Sequence, residues 1–203
     1  MFRYPLFETI AVIDCQFQNI EFHQERINYA FKYYLNSESK FNLEDILKRE
    51  NPISNGLIRC KVEYNSNEYN IRFYHYSPKT IRRLQTVYTN HFDYRFKYSD
   101  RRKLESLKSA MPDTDEIIII NNGFVSDCTI GNLLFLKQGT WYSSDKYLLK
   151  GTQLSKLIQQ NKVILTEIRA ENLLDYEQVM MINALNPFDE TRTIPVTSGL
   201  ILR

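Results

Sequence analysis

Lys97 stands in the run Phe96-Lys97-Tyr98-Ser99-Asp100-Arg101. An acid, Asp127, follows it in Gly123-Phe124-Val125-Ser126-Asp127-Cys128-Thr129-Ile130-Gly131-Asn132. Lys150-Gly151-Thr152-Gln153 then opens a helical stretch, and Ile182-Asn183-Ala184-Leu185 comes at the end of a strand. Each piece has a chemical use. A lysine amine can condense with an aldehyde and shuttle protons. A carboxylate can keep a ring nitrogen protonated, which makes the ring an electron sink. Backbone N–H groups at a glycine-led helix start can hold a phosphate. Together these are the parts needed to hold an aldehyde cofactor that carries a phosphate. Taken singly none is specific. Lys97 alone reads as a surface lysine, Asp127 as the cap of a turn, and Gly151 as an ordinary helix start.

The elements that must position these residues are legible in outline. Leu6 to Cys15 is rich in β-branched residues and reads as a strand. Ile20 to Leu35 places Ile20, Ile27, Ala30, Phe31, Tyr34 and Leu35 close to helical spacing. Asn42 with Asp45 is a capping pair for a short helix, Leu43 to Lys48, which Asn51-Pro52 ends. Gly56 to Tyr64 and Glu68 to Tyr76 form a hairpin across Asn65-Ser66-Asn67. Arg82 to Thr89 is a further strand. In the second part, Arg102 to Ala110 reads as a helix and Glu116 to Asn121 as a strand ending in the turn Asn121-Asn122-Gly123. Leu133 to Lys137 and Thr140 to Ser143 pair across Gln138-Gly139. Gly151 to Gln160 is helical. Val163 to Ile168, a short helix over Ala170 to Leu174, and Gln178 to Ile182 complete the series. The expected domains are 1–94, a small α+β unit, and 95–203, a larger α/β unit carrying Lys97.

Composition narrows the function classes. The chain has 203 residues, 43% hydrophobic and 25% charged, which allows a sizeable core without disulfide staples. A net charge of +2 gives no electrostatic case for nucleic acid. Cys15, Cys60 and Cys128 are far apart and form no Cys-x-x-Cys, so they read as reduced thiols of a cytoplasmic protein. His23, His75 and His91 are isolated and give no metal-ligand spacing. The longest apolar runs, Ile117 to Ile120 and Leu133 to Leu136, are too short to cross a bilayer and read as buried strands.

From about Leu6 to Pro187 the order and local sequence of these pieces resemble the class IV aminotransferases, the fold type IV pyridoxal phosphate enzymes. Phe7-Glu8-Thr9-Ile10 resembles the family's N-terminal strand, with Ala11 where arginine is frequent. His23-Gln24-Glu25-Arg26-Ile27 resembles its His-x-x-Arg-hydrophobic helix, and Lys97 to Arg101 its Lys-x-x-x-Arg stretch. Gly123 to Asn132 resembles its Gly-x-x-x-Glu-x-x-x-x-Asn segment, with aspartate in place of glutamate and Gly131 where serine is common. Gln153 and Leu154 stand where threonine and arginine are frequent. Asn183-Ala184-Leu185-Asn186-Pro187 is similar to an Asn-Ala-Leu-x-Pro stretch of aminodeoxychorismate lyases.

The resemblance implies a two-domain α+β fold like that of D-amino acid aminotransferase, with pyridoxal 5'-phosphate at the domain interface. It implies Lys97 as the imine lysine and Asp127 as the acid at the pyridine nitrogen. Thr152 and Gln153 would supply backbone amides to the phosphate, Arg26 would grip it, and Asn183 and Ala184 would form the turn closing the pocket. No metal is implied. A homodimer and a small-molecule amine or amino acid substrate are expected, with no nucleic-acid or membrane partner. The activity expected first is pyruvate elimination from aminodeoxychorismate, giving 4-aminobenzoate for folate synthesis. The alternatives are transamination of a branched-chain or other amino acid, and an inactive member that serves as a binding protein.

Overall fold

A computed structural model describes residues 2–50, 52 and 55–202. They form two compact units, Met1–Pro78 with Phe96–Asp100, and Lys79–Arg95 with Arg101–Arg203. The division differs from the one expected at 94/95, and the segment carrying Lys97 packs in the first unit. The reason is long-range main-chain pairing. Phe7 N–H donates to Lys97 O at 3.0 Å and Ser99 N–H to Pro5 O at 2.8 Å. Leu6 and Tyr98 form a β-bridge, and Phe96 and Tyr98 pack into the first core.

The first unit contains β1 (Leu6–Ile13), β2 (Gln16–Phe17), α1 (Ile20–Tyr33), α2 (Leu43–Leu47), β3 (Ile58–Tyr64) and β4 (Tyr69–His75). The strands form an antiparallel sheet in the order β2-β1-β3-β4. Leu6, Ile10 and Val12 of β1 alternate inward, as a half-buried strand requires, and Ile27, Ala30 and Phe31 of α1 cover them. The Asn42 side chain accepts from Asp45 N–H at 3.0 Å, the expected cap of α2. Asn65 Oδ1 accepts from the N–H groups of Asn67 and Glu68, which tightens the β3–β4 turn. The helix break expected at Asn51 lies outside the described residues.

The second unit runs through β5 (Leu84–Thr89), α3 (Arg102–Ser109), β6 (Glu116–Asn121), β7 (Phe124–Val125), β8 (Asn132–Lys137), β9 (Thr140–Ser144), α4 (Thr152–Gln159), β10 (Ile164–Thr166), β11 (Gln178–Ile182), β12 (Ile194–Pro195), α5 (Val196–Gly199) and β13 (Leu200–Ile201). Two sheets result, β13-β5-β6-β7 and β10-β9-β8-β11-β12. Leu84, Ile118 and Ile120 of the first meet Leu133, Phe135, Val179 and Met181 of the second. The opposite face of the second sheet, Leu134, Met180 and Ile182, packs on Leu154 and Leu157 of α4. Strands apolar on both faces lose the period-two signal, which is why Ile117 to Ile120 reads as an unbroken run. Positive φ at Asn122 (53°) and Gly123 (85°), and at Gln138 (49°) and Gly139 (73°), fits the two tight hairpins. The short helix expected over Ala170 to Leu174 is a 3-10 helix, Ala170–Asp175. No described helix is long and apolar enough to cross a membrane.

One inward position of β1 is not apolar. Glu8 is fully buried under α1, and so is His23. Arg26 Nε donates to Glu8 Oε1 at 2.8 Å and Nη2 to Oε2 at 2.5 Å, while His23 Nδ1 lies 2.6 Å from Oε2. Burial pushes the Glu8 carboxyl up. The Arg26 charge and the hydrogen bonds from His23 and Arg26 outweigh that and hold it at about 2, against an ordinary 4.5. Burial also pushes His23 below its ordinary value, and the nearby charges of Arg26 and Lys97 act the same way against the pull of Glu8. A neutral His23 therefore donates its Nδ1–H to an ionised Glu8.

Both groups are depressed in the folded state, so both make the fold lose stability as pH falls. The loss should start below the unfolded histidine value of 6.5 and continue below the unfolded glutamate value of 4.5. Urea unfolding at a series of pH values checks this, and His23→Gln should flatten the first part of the fall. Arg26→Ala should cost about 3–5 kcal/mol at neutral pH, because it strands a buried carboxylate. A loss near zero would mean that solvent reaches Glu8.

Candidate active site

In the first unit Lys97 is half-buried and its main chain is pinned to β1 by the Phe7–Lys97 hydrogen bond. Its ammonium lies 4.9 Å from the centroid of the Phe7 ring, and Lys61 Nζ lies 5.3 Å from the same ring. The aromatic face helps to hold the side chain in place. Arg26, expected at the phosphate, commits Nε and Nη2 of its guanidinium to Glu8. Glu8 itself was not picked out from the sequence. The signal was present, since an acid at an inward position of an alternating strand must find a cation or a set of donors.

In the second unit Asp127 follows β7 and is almost fully buried. Its Oδ2 accepts from the N–H groups of Leu148 (3.1 Å) and Leu149 (2.9 Å), and its Oδ1 from Asn132 Nδ2 (2.7 Å). The carboxylate is therefore fixed in direction by backbone as well as side chain. Asn132 Oδ1 in turn accepts from Gly151 N–H at 3.0 Å. A Cβ on Gly151 would come within 2.2 Å of that oxygen, which explains the glycine. A Cβ on Gly131 would lie 2.1 Å from the Ile182 carbonyl oxygen. The serine usual in the resembling segment cannot be placed here without moving β11.

Gly151 is the N-cap of α4, with extended backbone and no side-chain cap, and the first turn carries no acid. Thr152 and Gln153 are nonetheless buried. An enclosed helix start with no acid in its first turn suits an anion, through the helix dipole. These features fit the phosphate of the implied cofactor, as the fixed Asp127 carboxylate fits a protonated ring nitrogen.

Asn183 Oδ1 accepts from the N–H groups of Leu185 and Asn186, both at 2.9 Å, and its Nδ2 donates to Ile130 O at 3.0 Å. Its side chain is spent on closing the turn and tying it to the segment after Asp127. Ala184 sits half-buried within that turn. Arg101 bonds Tyr94 Oη at 3.2 Å and Thr129 O at 2.7 Å, bracing the same segment. Thus Asp127, Thr152, Gln153, Asn183 and Ala184 belong to one connected stretch of the second unit, and Lys97 and Arg26 to the first. Burial pushes the Cys128 thiol well up, so this neighbour of Asp127 is no nucleophile. All three cysteines are free, and no group of described residues could hold a metal ion.

Comparison with known proteins identifies the family. The family model for amino-transferase class IV matches residues 5–197. A Haemophilus influenzae protein described only as uncharacterized is 40% identical over 185 residues, covering 90% of this chain and 98% of its own. A crystal structure from Haemophilus somnus, of a candidate 4-amino-4-deoxychorismate lyase, superposes with a TM-score of 0.85 at 39% identity, covering 93% of this chain and 100% of the other. A hypothetical Mycobacterium tuberculosis aminotransferase with α-ketoglutarate and PMP bound shares the fold, with a TM-score of 0.72 at 11% identity, covering 95% of this chain and 83% of the other. The chain belongs to the class IV aminotransferases, pyridoxal-phosphate-dependent enzymes of fold type IV.

Proposed function

We propose that this enzyme holds pyridoxal 5'-phosphate through Lys97 and eliminates pyruvate from aminodeoxychorismate, releasing 4-aminobenzoate. The observation that carries the lyase reading is the likeness over nearly the full chain to the Haemophilus somnus protein, at 39% identity. The run Asn183-Ala184-Leu185-Asn186-Pro187 supports it. When bound, the cofactor supplies an electron sink for the substrate α-carbon. The chain supplies the rest. The Lys97 amine would accept the substrate α-proton. Asp127, held in direction by three donors, would serve the ring nitrogen. Thr152 and Gln153 offer the phosphate their backbone N–H groups, and Arg26 lends positive charge from its seat on Glu8. Atoms balance without a co-reactant, since the substrate divides into pyruvate and the aromatic amine.

Transamination is the second reading, favoured by the family match itself. In it Lys97 would again carry the proton taken from the substrate α-carbon, the cofactor would retain the amino group, and water would release the keto acid. Activity as a homodimer, in the cytoplasm and in folate synthesis, belongs to the same proposal.

Incubation with pyridoxal phosphate, borohydride reduction and peptide mapping should place the adduct on Lys97, and Lys97→Ala should abolish it. An adduct elsewhere sinks the assignment. Chromatography of products from aminodeoxychorismate should then show pyruvate with 4-aminobenzoate. A keto acid from amino acids, with no 4-aminobenzoate, would install the transaminase reading.

Asp127→Asn should retain cofactor yet lose most turnover. Its amide must also set one NH2 against the Asn132 NH2 or the Leu148 and Leu149 N–H groups, which should lower stability by about 1–3 kcal/mol. Full turnover in that variant would mean that another acid serves the ring.

A further inference from the structure

Asn132 opens β8 with its side chain almost wholly buried. Its amide makes three bonds to three places. Nδ2 donates to Asp127 Oδ1 at 2.7 Å and to Leu149 O at 3.0 Å, and Oδ1 accepts from Gly151 N–H at 3.0 Å. The backbones of Asp127 and Asn132 also form an isolated bridge. A primary amide on a short stem has the two donors and the acceptor that this demands. Aspartate would lack the donors, and glutamine would push its amide a methylene further out. Gly151 is shaped around it, since a Cβ there would meet Asn132 Oδ1 at 2.2 Å.

We propose that Asn132 is a positioning residue that locks the Asp127 carboxylate and the start of α4 into one rigid body. The contacts to the ring nitrogen and to the phosphate are then set together rather than one at a time. This rests on the reading above, in which Asp127 serves the ring and α4 the phosphate. The chain of contacts is physical and short. The Leu148 and Leu149 N–H groups hold one carboxylate oxygen, Asn132 holds the other, and Asn132 also bonds the backbone at Leu149 and Gly151, just ahead of the helix. Displacing the amide releases both ends at once. An asparagine that merely filled space would change stability and leave the balance between the two ends alone.

The test compares wild type, Asn132→Ala, Asn132→Asp and Asp127→Asn. Each is titrated with pyridoxal phosphate and with pyridoxal, which lacks the phosphate. The visible band of the bound cofactor is followed across neutral to alkaline pH. Asn132→Ala should bind pyridoxal phosphate about tenfold more weakly, lose most of its preference over pyridoxal, and shift the pH midpoint of the band. Asn132→Asp keeps an acceptor for Gly151 N–H but sets a second carboxylate against Asp127, so its midpoint should shift while the preference stays within about twofold. Asp127→Asn should likewise move the midpoint alone. A wild-type preference and midpoint in Asn132→Ala overturns the proposal. So does a wild-type midpoint in Asn132→Asp, which decides alone if the alanine variant does not fold. Absence of a borohydride-stable bond to Lys97 in wild type would instead overturn the cofactor reading, and this proposal with it.

Discussion

An ionised carboxylate taken out of water must be given donors, and this molecule is built around two such debts. Glu8 lies on the core face of β1, where its neighbours in the strand are aliphatic. Leaving it unpaired would cost several kcal/mol. The remedy fixes where α1 lies, because Arg26 and His23 must both reach the same carboxylate from one helix. Asp127 imposes the same demand in the second unit. It is met by two backbone N–H groups from the segment before α4 and by Asn132 at the start of β8. In each case the acid organises the elements that surround the chemistry.

That view explains which parts of the fold were legible in the sequence. The long periodic segments were read correctly because one face of each is buried and the other wet: β1, α1 and the β3–β4 hairpin. Strand β6 was found from its unbroken apolar run, and the Asn42 cap from the spacing of polar atoms that a helix start needs. The short closing elements β12, α5 and β13 were not seen. A two-residue strand has no period, and its place beside β5 or β11 is set by partners far away in the chain.

The two compact units depart from the division expected at 94/95 for a related reason. Phe96–Asp100 is bracketed on both sides by segments of the second unit, yet it joins the first. Nothing local announces that. The segment goes where it does because Pro5 and Phe7 have main-chain groups to pair, and because Phe96 and Tyr98 bury aromatic surface against Tyr29 and Tyr34. Motif order could single out Lys97, but it could not supply the long-range pairing that seats it. The same limit applied to Arg26, whose helix was recognised while its partner Glu8 was not.

The departures from the family pattern can be weighed on the same footing. Aspartate for glutamate at 127 shortens the side chain by a methylene, which on sequence alone puts its reach in doubt. Its position, however, is governed by the donors that hold it. Leu148 N–H and Leu149 N–H reach Oδ2 and Asn132 Nδ2 reaches Oδ1, so both oxygens of the shorter acid have donors within 3.1 Å. Gly131 is the companion change. With the Ile182 carbonyl where a Cβ would lie, the segment packs directly on the end of β11, and the Asn183 amide bonds Ile130 beside it. A serine would force this segment off β11 and disturb the backbone that leads from Asp127 to Asn132. The two substitutions thus act on one loop, the first shortening the acid and the second letting the loop settle against its neighbour. Because the Ile182 carbonyl, and not residue 127, blocks the added Cβ, Gly131→Ser should lower stability in urea unfolding whichever acid stands at 127.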